Sequence, residues 1–224
     1  MSASASRSTP KRAYNSSRRA MQAASTRADV LEAAIELFRV NGWSGTTLAA
    51  VAERAGVAVE TIYNGFGSKK GLLRSAMDTA IVGDPDPVPF VERPEFRSLG
   101  EGPIDERVKR AAEVTASIHE RSAGVWLAVV EAAAGDEEVD GWRIELERGR
   151  RIDVRRSAER VAGRSLDETV VTMMWILYGP ETFLKLVGDD DMSRSDYEAF
   201  LAEATTLALR ATGRPARGRA AARP

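Results

Sequence analysis

Between Thr46 and Asn64 the chain concentrates hydroxyls, a carboxylate and a carboxamide on two short apolar-patterned stretches. The first runs Thr46-Thr47-Leu48-Ala49-Ala50-Val51-Ala52-Glu53-Arg54-Ala55, the second Ala58-Val59-Glu60-Thr61-Ile62-Tyr63-Asn64. Groups of these kinds hydrogen-bond to phosphate oxygens and base edges. Gly56 stands between the stretches, where a tight turn with positive φ lets Val51, Ala52 and Ala55 meet Val57 and Ile62. This is helix-turn-helix packing, in which the second helix enters the major groove. Reactive chemistry has no comparable foothold. There is no glycine-rich phosphate loop, nucleophile motif or paired-histidine metal motif, and no cysteine. The reading is therefore no enzyme, no catalytic residue, no metal and no cofactor; His119, the only histidine, is expected to be structural.

The elements that must position these groups read as helices throughout. Val30, Leu31, Ala34, Ile35, Leu37 and Phe38 recur at helical spacing, and Asn41-Gly42 closes that helix. Thr47 and Ser68 are N-caps of the second and fourth helices. Residues 83–103 hold five prolines and break the helical pattern. Behind them we expect helices at 104–119 and 122–134, an amphipathic charged helix at 137–162, and helices near 167–187 and 193–210. Ser165 and Glu168 suggest a capping box, and Gly179-Pro180 a kink. Asp136-Glu137-Glu138 and Asp189-Asp190-Asp191 read as solvated loops. The predicted fold class is all-α: an N-terminal three-helix helix-turn-helix DNA-binding domain and a C-terminal helical ligand-binding and dimerisation domain. The expected units are a disordered basic arm at 1–22, the helix-turn-helix domain at 23–82, the Pro/Gly-rich connection at 83–103, the effector-binding and dimerisation domain at 104–211, and a disordered basic tail at 212–224.

Charge is distributed unevenly. Residues 1–24 and 210–224 each carry five basic and no acidic side chains, so the remaining body has a net charge of −11. An acidic body repels nucleic acid on average, and contact must come from helix N-termini, local basic surface or the N-terminal arm entering a minor groove. No stretch approaches the 18 apolar residues of a membrane span, and the basic first twenty residues lack the apolar run of a secretory signal.

The run from Thr26 to Met77 resembles the DNA-binding region of the TetR family of transcriptional regulators. The resemblance lies in Ala33-Ala34-Ile35-Glu36-Leu37-Phe38, Asn41-Gly42-Trp43, Thr46-Thr47, Val51-Ala52-Glu53-Arg54-Ala55-Gly56-Val57, Thr61-Ile62-Tyr63, Phe66-Gly67-Ser68-Lys69-Lys70 and Leu72-Leu73. It implies that Thr47, Tyr63 and Lys69 contact phosphate and that Val59, Glu60, Thr61 and Asn64 face the groove. Chemistry agrees: Asn64 suits adenine and Val59 a thymine methyl, while Glu60 suits either cytosine or a helix N-terminus. Two features depart from the family. Gly65 stands where an aromatic or histidine is usual, and Lys70 where an acid is common. The second stretch also lacks arginine and lysine, so strong guanine readout from it is not expected.

The resemblance also implies that the C-terminal half binds an effector and forms a homodimer through its last two long helices. Their apolar stripes suit either that interface or an intrachain core. Large side chains suited to an apolar or aromatic effector are Trp126, Trp142, Met173, Met174, Trp175, Tyr178 and Phe183. The leading expectation is a cytoplasmic homodimeric repressor that binds palindromic double-stranded DNA and is released by a small molecule, without membrane association. The alternative is a helix-turn-helix protein acting mainly through protein–protein interaction.

Overall fold

The computed structural model describes residues 11–84 and 88–211, and among these every regular element is helical. The first helix, α1, spans Lys11–Gly45, with a break at Gly42, where φ is 68°. It is helical from Lys11, so the part of the basic arm from 11 to 22 is ordered as helix, which corrects the expectation of disorder there. Its exposed turn at Arg18-Arg19-Ala20 continues the helix that Val30, Leu31, Ala34 and Phe38 anchor in the core. Helix propagation past an anchored segment costs far less than nucleation. Residues 1–10 and the tail at 212–224 lie outside the described residues.

Helices α2 (Leu48–Ala55) and α3 (Val59–Phe66) follow. The Ala50 amide donates to Thr47 Oγ1 at 3.0 Å, which caps α2. Gly56 ends α2 at φ 66°, ψ 32°, a left-handed conformation that β-carbon-bearing residues adopt only at a cost. Helix α4 (Lys69–Val82) starts at Ser68, whose Oγ accepts from the Gly71 amide at 3.1 Å. Residues 88–103 are not bare connection. They form a 3₁₀ turn at Phe90–Glu92 and the short α5 (Pro94–Ser98), and Leu99 is buried against Val108, Ala111 and Val161.

The expected helices at 104–119 and 122–134 are one: α6 spans Ile104–Ala133 without a break. Nothing between 119 and 122 stops a helix, and the Ser122 hydroxyl donates back to the Ile118 carbonyl at 2.7 Å. Helix α7 covers Glu137–Ala162. Asp136, expected to be merely solvated, caps it through the Glu138 and Val139 amides and pairs with Lys70 at 2.7 Å. Helix α8 runs Glu168–Leu177. The Ser165 capping box does not form, because Glu168 is drawn across to Arg151 and Arg155 of α7. After Gly179, α9 (Pro180–Phe183) and a π-helical turn (Leu184–Asp189) depart from α8 at 47°. Helix α10 is Arg194–Ala211. Among the described residues no single helix is long and apolar enough to cross a membrane.

One apolar core joins the two halves. Val30, Phe38, Val51, Ile62, Leu72 and Leu73 of the first four helices form a continuous cluster with Val125, Trp126, Val129 and Val139 of α6 and α7. Close approach of α1 to α6 depends on Gly124, where an added β-carbon would lie 2.5 Å from Arg39 Cγ. Tyr197 and Leu201 of α10 close a second cluster with Ala112 and Ala116 of α6.

Two exposed glycines of the head, Gly56 and Gly65, should respond oppositely to alanine. Gly56→Ala is expected to destabilise by about 1 kcal/mol, because of its left-handed φ. Gly65→Ala, helical and with open space around it, should stabilise by about 0.5–1 kcal/mol. Urea denaturation of both variants checks the sign.

Candidate nucleic-acid interface and cavity

Helix α3 turns Ile62 inward, fully buried, and so presents Glu60, Thr61, Tyr63 and Asn64 to solvent, with Tyr63 54% exposed. Thr47 is exposed at the start of α2, beside the unpaired amides of that helix end. Val59 differs from its neighbours: it is half-buried against the head core, which leaves little methyl surface for a base. Lys69 is half-buried, and its ammonium sits 4.0 Å over the Trp43 ring and donates to the Trp43 carbonyl. Burial lowers its pKa, against the opposing pull of Glu131. Its charge is thus shared with the protein before any phosphate arrives.

Other basic groups of the head are also engaged. Arg54 pairs with Glu36 at 2.6 Å. Lys70, expected to add positive charge, is held by Asp136 at 2.7 Å and Glu138 at 2.8 Å, and both carboxylates raise its pKa. Arg27 was not foreseen. It lies 4.3 Å from the Phe66 ring and donates to the Gly65 carbonyl at 3.2 Å, so a guanidinium from α1 stands at the carbonyl end of α3. That placement suits the helix dipole and puts positive charge where Gly65 supplies no side chain. Only the tertiary fold brings residues 27 and 65 together.

The head is fastened to α6 by two charged groups. Glu131 accepts from the Trp43 amide at 2.7 Å and the Ser44 amide at 3.1 Å. The Ser44 hydroxyl and these amides hold its pKa below the usual carboxylate range. Arg121 donates to the Ala80 and Ile81 carbonyls, each at 3.2 Å, near the end of α4.

A cavity of about 420 Å³ lies where α4 meets α6, α7, α8 and α10. Of the residues expected to line a pocket, Trp126, Trp142, Met174 and Tyr178 are in its wall. Met173, Trp175 and Phe183 are not, which corrects that part of the expectation. Met173 points to solvent at 50% exposure, Trp175 stacks under Arg150 and Arg151, and Phe183 packs edge-on against Tyr197. The sequence reading missed Arg74, Met77, Asp78 and Ile81, with which α4 contributes a wall of its own. A search for large apolar side chains in the C-terminal half passes over α4 altogether; the spacing of these four residues along one face of α4 was the available signal.

His119 lines the cavity from α6 and is buried. Its Nε2 is 3.2 Å from the Tyr178 carbonyl, so Nε2 carries the proton and Nδ1 accepts from the Tyr197 hydroxyl at 2.9 Å. The Tyr178 hydroxyl is bonded to Thr205 at 2.6 Å. Burial lowers the His119 pKa to about 4.

Residues 30–76 match the model of the family described as bacterial regulatory proteins, tetR family. The HTH-type transcriptional regulator AlkX of Mycobacterium tuberculosis (strain ATCC 25618 / H37Rv) is 46% identical over 48 residues; the match spans 21% of this chain and 23% of that protein. The fold is similar to that of a TetR-like transcriptional regulator from Rhodococcus sp. RHA1, at TM-score 0.58 and 20% identity over 83% of this chain and 96% of that one. It is also similar to the transcriptional regulator FadR from Bacillus subtilis, solved in complex with stearoyl-CoA: TM-score 0.57, 20% identity, 81% of this chain and 96% of that one.

Because His119 is neutral in the fold down to about pH 4 but titrates near 6.5 when unfolded, its contribution to stability is lost as pH falls from 6.5 to 4. The stability of the protein minus that of His119→Gln is expected to shrink over this window by on the order of 3 kcal/mol. Urea denaturation at pH 7, 5.5 and 4 measures the difference, and a constant gap refutes it.

Proposed function

We propose that this chain, a member of the tetR family of bacterial regulatory proteins by its N-terminal region, is a cytoplasmic homodimeric repressor released from palindromic DNA by a small-molecule effector. The observation that carries the reading is the double role of α4. Leu72 and Leu73 of that helix hold the head core behind α3, while Arg74, Met77, Asp78 and Ile81 line the cavity. A ligand that fills the cavity presses on α4, and α4 cannot move without carrying the exposed face of α3. Two heads so displaced lose the spacing that lets both occupy one duplex, which is a shift between two populations. The similar fold of a regulator solved with stearoyl-CoA supports a ligand in the helical body.

Thr47, Tyr63 and Lys69 are assigned to phosphate, and Glu60, Thr61 and Asn64 to base edges, with Val59 in a minor packing role. The Arg27 guanidinium adds a basic contact at the end of α3. For dimerisation the supporting feature is an unpartnered apolar face. Met173 and Ile176 of α8, and Phe200 and Leu207 of α10, stay exposed although these helices pack together, with Ile176 at 63% and Leu207 at 60%. Soluble monomers rarely leave such a face open, and pairing it with a second copy builds a four-helix interface.

Selection from random duplexes should enrich a palindrome; no enrichment rejects the repressor in favour of a protein-interaction role. Tyr63→Ala should weaken operator binding about tenfold with an unchanged melting temperature, given one lost phosphate bond. Ile176→Glu with Leu207→Glu should give monomers by sedimentation and abolish tight operator binding. A doubly substituted protein that stays dimeric rules out this interface.

A further inference from the structure

We propose that the cavity takes an amphipathic cation, an apolar or aromatic body bearing one ammonium-type group, held by the carboxylates of Asp78, Glu145 and Asp153. This rests on the reading of the cavity as the effector site. Six charged side chains line it: Arg74, Asp78, Glu145, Glu147, Arg150 and Asp153. Two of them cancel. Arg150 gives Glu147 two hydrogen bonds of 2.7 Å, and its Nη1 donates to the Trp175 carbonyl at 2.8 Å and the Tyr178 carbonyl at 3.2 Å. That guanidinium is spent within the wall and does not offer its fork to an anionic ligand.

What remains is one guanidinium and three carboxylates. Arg74 lies 5.8 Å from the Trp142 ring centroid and offsets Asp78 only in part, since burial still raises the Asp78 pKa. Asp153 has Arg156 at 3.6 Å, yet burial raises its pKa as well. Both carboxylates therefore lose hydration at the cavity wall that their arginine neighbours do not fully offset, and a ligand's cation would supply further counter-charge. Glu145 reaches solvent beside them on α7.

The buried polar groups of the wall are bonded to one another. Ser122 donates to the Ile118 carbonyl, Tyr178 is paired with Thr205, and both nitrogens of His119 are occupied. Beyond the neutral hydroxyls of Thr115 and Ser157, the interior therefore offers a carboxylate or phosphate head little that is not already in use. It offers an apolar body the aromatic surface of Trp126, Trp142 and Phe90, a ring type that also attracts cations. Acid at the exposed wall and aromatic surface within match a cationic head on an apolar body, and repel an anionic one.

Three probes with one tail separate the terms: decyltrimethylammonium, decanol and decanoate, titrated calorimetrically into the full-length protein below their micelle-forming concentrations. The cation is expected to bind at least tenfold tighter than decanol, with decanoate weakest. Asp78→Asn combined with Asp153→Asn should cost the cation about tenfold and leave decanol unchanged; Glu145→Gln, at a more exposed position, is the second variant should the first not fold. Decanoate binding as tightly as the cation overturns the proposal, as does an equal loss for all three probes. Decanol binding without any preference for the cation overturns the proposal while keeping the cavity as effector site. Absence of binding by all three overturns the effector site itself.

Discussion

A helix-turn-helix of this size buries little apolar surface of its own, and here α6 adds to its core. Val125, Trp126 and Val129 complete the cluster that contains Phe38, Val51, Ile62 and Leu72. At roughly 25 cal/mol per Å², even a few such side chains decide whether the head is folded or loose. The consequence is mechanical. Since the head's core is partly made of the body, no change in the body's packing is private to it. Glu131 and Arg121 reinforce the union at the end of α1 and the end of α4, so the two attachments bracket the reading surface.

The same economy shapes the electrostatics. The body is acidic, and three basic side chains of the head are engaged within the protein: Arg54 with Glu36, Lys70 with Asp136 and Glu138, Lys69 with Trp43. On the proposed function, attraction of a polyanion would therefore fall to oriented dipoles and hydroxyls at helix ends and to arginines along α1. Such a surface discriminates by geometry more than by bulk charge, because amides at a helix N-terminus act over about one turn. The paired lysine and acids at residues 70, 136 and 138 belong instead to the joint between head and body.

The head was readable in the sequence where its decisions are local. Thr47 and Ser68 act within three residues of themselves, Gly56 acts at its own φ, and the apolar stripe of α1 repeats at helical period. The body was less readable wherever a side chain had a distant alternative. Glu168 was expected to cap its own helix but found Arg151 and Arg155. Asp136 found Lys70, and within the head Arg27 likewise found Gly65 and Phe66. For the cavity, composition pointed to aromatic residues but not to which face of α8 turned inward. Met174 and Tyr178 did; Met173 and Trp175 did not. Apolar periodicity cannot separate a wall from an outer face when both are apolar.

Gly124 carries a consequence for how this architecture diversifies. Its missing side chain sets the distance between α1 and α6, with Arg39 occupying the space a β-carbon would need. That single position works as a shim between head and body, two residues from the cavity wall at Ser122 and Trp126: a bulkier residue there would push α1 away from α6. On the proposed function, thickness at this one contact would reset the pitch of DNA that a pair of heads can grip without altering any residue of α3.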